Sequence, residues 1–155
     1  MELPIKRIEE FLHNRIPVSR TIDCRVVEAD GKSLKLSLPK ISPNLKDEDF
    51  SDLSGLTLCQ LTAWAYLQVT LQRLNYKPFT SLTSCSFKKN REIDSNSSTI
   101  FASCTVPCDK EWQQFLRMLS RKARAKVSLE VNLSDELGET ATLTCEYDTR
   151  DLDPS

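Results

Sequence analysis

The stretch Leu53-Ser54-Gly55-Leu56-Thr57-Leu58-Cys59-Gln60-Leu61-Thr62-Ala63-Trp64-Ala65-Tyr66-Leu67-Gln68-Val69-Thr70-Leu71 decides how the rest of the chain must be arranged. It predicts a helix over roughly Ser51 to Asn75, with hardly any polar face in its middle. A helix that is apolar nearly all round has to be enclosed, by lipid or by protein. Lipid does not fit, because Gln60, Gln68, Gln72 and Arg73 interrupt the run, and no other stretch is long and apolar enough to span a bilayer. Other elements of the same chain must therefore surround it.

Suitable elements lie on both sides. Downstream, Thr80 to Lys88, Thr99 to Val106, Ala125 to Leu133 and Thr140 to Tyr147 read as strands. The last two alternate cleanly: Val127, Leu129, Val131 and Leu133 share one face opposite Lys126, Ser128, Glu130 and Asn132. Ala141, Leu143, Cys145 and Tyr147 repeat the pattern beyond a turn at Asp135-Glu136-Leu137-Gly138. One face of such a sheet is wet and the other buried, as an antiparallel sheet over a single helix requires. Upstream, Thr21 to Pro39 reads as a hairpin turning at Ala29-Asp30-Gly31-Lys32, and Lys40 to Phe50 as a loop. Two further helices are expected, one over Pro4 to Arg15 and one over Asp109 to Lys122 with Trp112, Phe115, Leu116 and Leu119 as its stripe. The expectation is an α+β hotdog fold: a long central helix wrapped by an antiparallel sheet of about six strands, with an extra N-terminal helix. It is read as one domain over residues 1–155, with a frayed tail from Arg150.

Composition narrows the function classes. In 155 residues the formal net charge is −1, which leaves no basic excess for nucleic acid. The first residues lack the apolar core of a signal peptide, so the protein is expected in the cytoplasm with no membrane partner. Cys24, Cys59, Cys85, Cys104, Cys108 and Cys145 form no Cys-x-x-Cys pair, and His13 is the only histidine. No metal site is expected, and the cysteines are read as small buried hydrophobes. His13 is read as a surface helix residue.

Several stretches in order resemble the YiiD C-terminal, putative thioesterase family: Ile16-Pro17-Val18-Ser19, Ala29-Asp30-Gly31, Pro43-Asn44, Leu61-Thr62-Ala63-Trp64, and Ser120-Arg121-Lys122-Ala123-Arg124-Ala125-Lys126-Val127. The last is close to the family's arginine-lysine-glycine-arginine-alanine run into a strand. The resemblance covers about Phe11 to Tyr147. It implies a hotdog homodimer that acts on acyl or malonyl thioesters of coenzyme A or acyl carrier protein. Coenzyme A or phosphopantetheine would then be part of the substrate, with no separate cofactor. Some relatives are malonyl-carrier-protein decarboxylases.

Asn44 matches the first asparagine of the family's pattern before the long helix. Lys46 stands where a second, reaction-associated asparagine belongs, Asp47, Glu48 and Asp49 fill the place of a histidine, and Asp52 and Leu53 replace a small pair, with Ser54 keeping the family's serine. The resemblance thus implies a divergent, impaired active site built from Asn44, Lys46, Asp49, Asp52 and Ser54, or a non-catalytic protein that binds acyl thioesters or a protein partner.

The residues themselves leave alternatives open. Asp49 or Asp52 could activate water, or the acids from Asp47 to Asp52 could simply start the helix. Ser54 is a nucleophile lacking a neighbouring base, or a first-turn cap. Arg121, Lys122 and Arg124 could receive the phosphates of coenzyme A or the acidic face of a carrier protein, or could complement the end of a helix dipole.

Overall fold

The computed structural model describes residues 4–154. Helix α1 (Ile5–Arg15) leads through a single helical turn, α2 (Val18–Thr21), into strand β1 (Arg25–Ala29). Asp30 accepts the backbone N–H groups of Lys32 and Ser33 at 2.7 and 2.8 Å, closing the turn into β2 (Ser33–Pro39). The segment expected as a loop is more ordered than that: a 3-10 turn (Ser42–Asn44) precedes a small hairpin, β3 (Leu45–Lys46) and β4 (Asp49–Phe50). Its two turn residues, Asp47 and Glu48, have φ of 53° and 71°. This left-handed pair is the geometry of the tightest hairpins, and without glycine there the sequence did not announce it.

Helix α3 (Asp52–Arg73) follows, then β5 (Pro78–Lys89), β6 (Thr99–Thr105), α4 (Asp109–Lys122), β7 (Arg124–Asp135) and β8 (Gly138–Asp151). Six strands form one sheet in the order β1-β2-β6-β7-β8-β5, each neighbour antiparallel. The alternation read in β7 holds: Ala125, Val127, Leu129, Val131 and Leu133 are buried, and Lys126, Ser128, Glu130 and Asn132 are exposed. Helix α3 lies across the buried face and touches β2, β5, β6, β7 and β8. From Ser54 to Leu71 none of its residues is fully exposed. Gly55 permits the approach, since a Cβ there would sit 2.8 Å from Leu133 Cδ2. This is the hotdog arrangement.

The two edges of the sheet are treated differently. Strand β1 is covered by α1: Glu9 Oε1 accepts the Val26 N–H at 3.0 Å, and His13 Nε2 lies 2.7 Å from the Cys24 carbonyl oxygen. His13 therefore joins helix to strand and is half-buried, where a surface position was expected. Strand β5 has no such cover, and Ser81 to Ser86 are all exposed. Two cysteines depart from expectation for this reason and another: Cys85 is exposed on β5, and Cys108 on the loop before α4, while the other four are buried and all six are free.

The expected fraying of the tail begins too early. Arg150 and Asp151 are strand residues, Asp151 N–H donates to the Ala123 carbonyl at 2.9 Å, and Leu152 N–H donates to that of Lys77 at 2.9 Å. The connection between β5 and β6 is bolted down by Asp135, whose side chain is fully buried. It accepts from Arg91 at 2.7 and 2.8 Å and from the N–H groups of Asp94 and Leu137 at 2.8 Å each. The Arg91 guanidinium, aided by those N–H groups against the cost of burial, holds the carboxyl well below its usual range.

Two predictions follow from these observations. A group whose folded pKa is depressed contributes fully above its ordinary value, near pH 4, and loses that contribution as pH falls further. Thermal stability should therefore drop below about pH 4, and Asp135→Ala should be less stable at neutral pH by roughly 2–3 kcal/mol with a shallower acid limb; melting against pH checks both. Ala123 ends α4 with φ of 56°, a conformation that costs a Cβ-bearing residue about 1 kcal/mol. Ala123→Gly should offset its own unfolded-state entropy and raise Tm by roughly 1–3 °C.

Candidate functional site

The residues singled out at the entry to α3 are mostly spent on holding it. Asn44 is buried; its Nδ2 donates to the carbonyls of Ile22 (3.0 Å) and Pro39 (2.9 Å). Its own carbonyl accepts the Ser54 hydroxyl at 2.8 Å and the Ser51 N–H at 3.3 Å. Ser51 is the N-cap of α3, accepting the Ser54 N–H at 3.0 Å. Asn44 and Ser54 are thus brought together, as one knot that joins the β2 end, the 3-10 turn and the helix. Ser54 bonds to a main-chain carbonyl, with no imidazole or carboxylate beside it to act as base.

Lys46 and Asp49 face each other across the small hairpin, both exposed, with Asp49 also 3.9 Å from Lys40 Nζ. Asp52 is exposed and 3.0 Å from Lys89 Nζ, which Glu92 also holds at 2.6 Å. These acids point the chain into the helix as solvated charges. Arg121 and Lys122 end α4 in solvent, whereas Arg124 is committed to a two-pronged ion pair with Asp148 at 3.1 and 2.5 Å.

A groove of about 300 Å³ opens elsewhere, one turn further along α3. Its floor is a single helical face, Thr57, Gln60, Leu61 and Trp64, at spacings of three, four and seven residues. Ile16 closes one side; Thr80 and Leu82 of the uncovered β5 and Tyr147 of β8 close the other. The walls are mostly apolar, and the polar groups are neutral: two threonine hydroxyls, an amide and the Tyr147 phenol. Gln68, buried behind the wall, donates Nε2 to Thr80 Oγ1 at 3.3 Å, which leaves the Thr80 proton free to be given elsewhere. Gln60 Nε2 lies 3.8 Å from Cys85 Sγ. Burial, then the neighbouring Cys145 thiol, pushes the Tyr147 phenol up, so it stays protonated at neutral pH. Trp64 stacks on Phe11 of α1, ring centroids 5.7 Å apart and planes 7° from parallel. Hollows of about 480 and 350 Å³ beside α4 are larger, and they carry charge: Glu111 of α4 lines both, with Lys126 in the first and Glu130 in the second.

None of the residues expected to be catalytic lines this groove. Its signal in the sequence was faint: Thr57 and Gln60 read only as polar breaks in an apolar run, and no pattern links Ile16 to Leu82. Among the described residues no group of three metal-ligating side chains comes together, and no helix is long and apolar enough to cross a membrane.

A sheet wrapped on one long helix, with an apolar groove running beside that helix, defines a thioesterase-like hotdog protein. The chain belongs to the putative thioesterase family named for the YiiD C-terminus, whose model matches residues 5–150. Comparison with curated proteins finds no match. Among solved structures, a protein of unknown function from Chlorobaculum tepidum superposes with a TM-score of 0.83 at 20% identity, over 94% of this chain and 93% of its own. A probable thioesterase from Pseudomonas aeruginosa follows at 0.79 and 18%, over 97% and 98%. A putative thioesterase from Shewanella oneidensis gives 0.76 at 21%, over 94% and 96%. At these identities the likeness establishes the fold.

The knot at the helix entry yields a test of role. Asn44→Ala leaves the Ile22 carbonyl unpaired and the Pro39 carbonyl with the Ile41 N–H alone, and should cost about 2 kcal/mol of stability, and Ser54→Ala about 1 kcal/mol, measured by chemical denaturation. Loss of stability smaller than this for Asn44→Ala would show that the amide is not what secures the loop.

Proposed function

We propose that this protein handles acyl thioesters of coenzyme A or acyl carrier protein, with the acyl chain in the groove along α3. The apolar groove itself, with neutral donors at Thr57, Gln60 and Thr80, is the observation that carries this reading. The Thr57 hydroxyl and the Gln60 amide, one helical turn apart, suit a thioester carbonyl, whose oxygen gains negative charge when attacked. Arg121 and Lys122, free of carboxylate partners among the described residues, are assigned to the phosphates of the carrier group. A homodimer is part of the proposal: the bare β5 edge, with Leu82 43% exposed on the inward side above α3, is what a second copy would cover.

A second reading, binding without turnover, is favoured by the groove's lining. It contains no carboxylate and no histidine, so nothing in it can take a proton from water at neutral pH. Hydrolysis by this chain is therefore slow. Decarboxylation of a malonyl thioester is expected to be undetectable, because Asn44 is locked in structure and Lys46 sits on an exposed hairpin.

The experiment follows the groove's own reporter. Titrating long-chain and medium-chain acyl-CoA should quench tryptophan fluorescence saturably, and Trp64→Phe should remove most of that change, since the other tryptophan, Trp112, is buried under α4. Mass spectrometry of the same panel should show little hydrolysis. No saturable quenching with any thioester, free or carried on acyl carrier protein, overturns the proposal. Sedimentation should give twice the 17.7 kDa of one chain, and Leu82→Glu should shift it toward a single chain.

A further inference from the structure

Arg15, the last residue of α1, immediately precedes Ile16, which lines the groove. Its Cζ lies 5.4 Å from the centre of the Phe11 ring and 5.9 Å from that of Trp64, so the guanidinium rests against the stacked pair. Trp64 and the next residue, Ile16, are both groove walls. No carboxylate lies within ion-pair distance of Arg15 among the described residues, and Glu9 and Asp23, the acids six and eight residues from it, pair with Arg25. A planar cation stacked on aromatic rings is held in one orientation, and its fork of N–H donors matches a carboxylate. The cation is thus held against Trp64, a residue of the apolar groove, with its donors uncommitted.

Thr57 and Gln60 place neutral donors at one end of the groove's helical floor; Trp64, against which Arg15 rests, is seven residues beyond Thr57 and roughly 10 Å further along the helix axis, with the Thr80 hydroxyl beside Gln68 further still. We infer that the groove selects an acyl thioester whose far end carries a carboxylate, with the thioester carbonyl at Thr57 and Gln60, the methylenes against Leu61 and Leu82, and the carboxylate on Arg15. Such a ligand is a dicarboxylic half-thioester of medium length. Malonyl is too short to reach both ends, so the selection differs from that of a malonyl decarboxylase. Arg15 acts on specificity alone, as it is placed away from the thioester end. The inference rests on the acyl thioester reading above and adds the identity of the acyl group.

The test compares suberoyl-CoA with octanoyl-CoA, equal in chain length and different only in the terminal carboxylate, by calorimetric titration of the intact protein. Wild type should bind suberoyl-CoA roughly tenfold more tightly, an advantage that shrinks with added salt. Arg15→Gln should bring the ratio of the two affinities to about one, and Arg15→Lys should restore only part of it, because an ammonium keeps the charge and loses the planar fork. Arg15 is exposed, so an unchanged Tm serves as the folding control. Equal affinities in wild type, or an equal loss for both ligands in Arg15→Gln, overturns the inference while leaving the acyl thioester reading in place. Failure of both ligands to bind wild type overturns that reading, and the inference with it.

Discussion

Everything in this molecule depends on the enclosure of α3. Twelve of its residues are buried, among them Leu58, Leu61, Leu67 and Leu71, and a helix of that kind has no stable existence outside its sheet. The sheet in turn has an apolar face only because α3 covers it. The closeness of the two is set at Gly55, where Leu133 occupies the space a side chain would need. Small residues at the start of this helix therefore serve packing first. The knot of Asn44, Ser51 and Ser54 at the same end fixes the angle at which the helix enters.

That dependence explains what could be read from the residues alone. The period-two runs of β7 and β8 and the all-round apolar run of α3 are consequences of burial, so they are written in the sequence wherever burial is complete. Helix α4 was legible for the same reason: Trp112, Phe115 and Leu119 form its buried stripe between Asp109 and Lys122. The hairpin at Asp47 and Glu48 was not, because its left-handed turn is imposed by the surrounding fold on residues that do not favour it. The exposed cysteines were missed because Cys108 falls in the loop before α4, outside any element, and the burial of Cys85 depends on which strand ends up at the edge. That is decided by topology, which no local pattern encodes.

The candidate site was less legible than the fold. Family resemblance directed attention to the entry of α3, where conspicuous polar residues cluster. Those residues are conspicuous because a helix start needs them: Ser51 caps, Ser54 ties back to Asn44, and Asp52 meets Lys89 in solvent. The groove is assembled from pieces distant in sequence: Ile16 just after α1, and residues of α3, β5 and β8. Its polar members, Thr57, Gln60 and Thr80, are unremarkable one by one. Chemistry built from neutral groups leaves a weaker trace in sequence than chemistry built from acids and histidine.

One consequence concerns how such a protein could change. Helix α1 lies outside the sheet, and its eleven residues are held by a few contacts: Ile8 and Leu12 in the core, Glu9 and His13 at the first strand, and Phe11 against Trp64. The helix that protects one sheet edge also backs the groove, through Phe11 on Trp64 and through Ile16 just after its last turn. Substitutions on its Phe11 and Arg15 side would remodel what the groove accepts while the six-stranded framework and its central helix stay as they are. Adaptation of the groove is in this sense separable from foldability, and the cheapest place for it is an appendage.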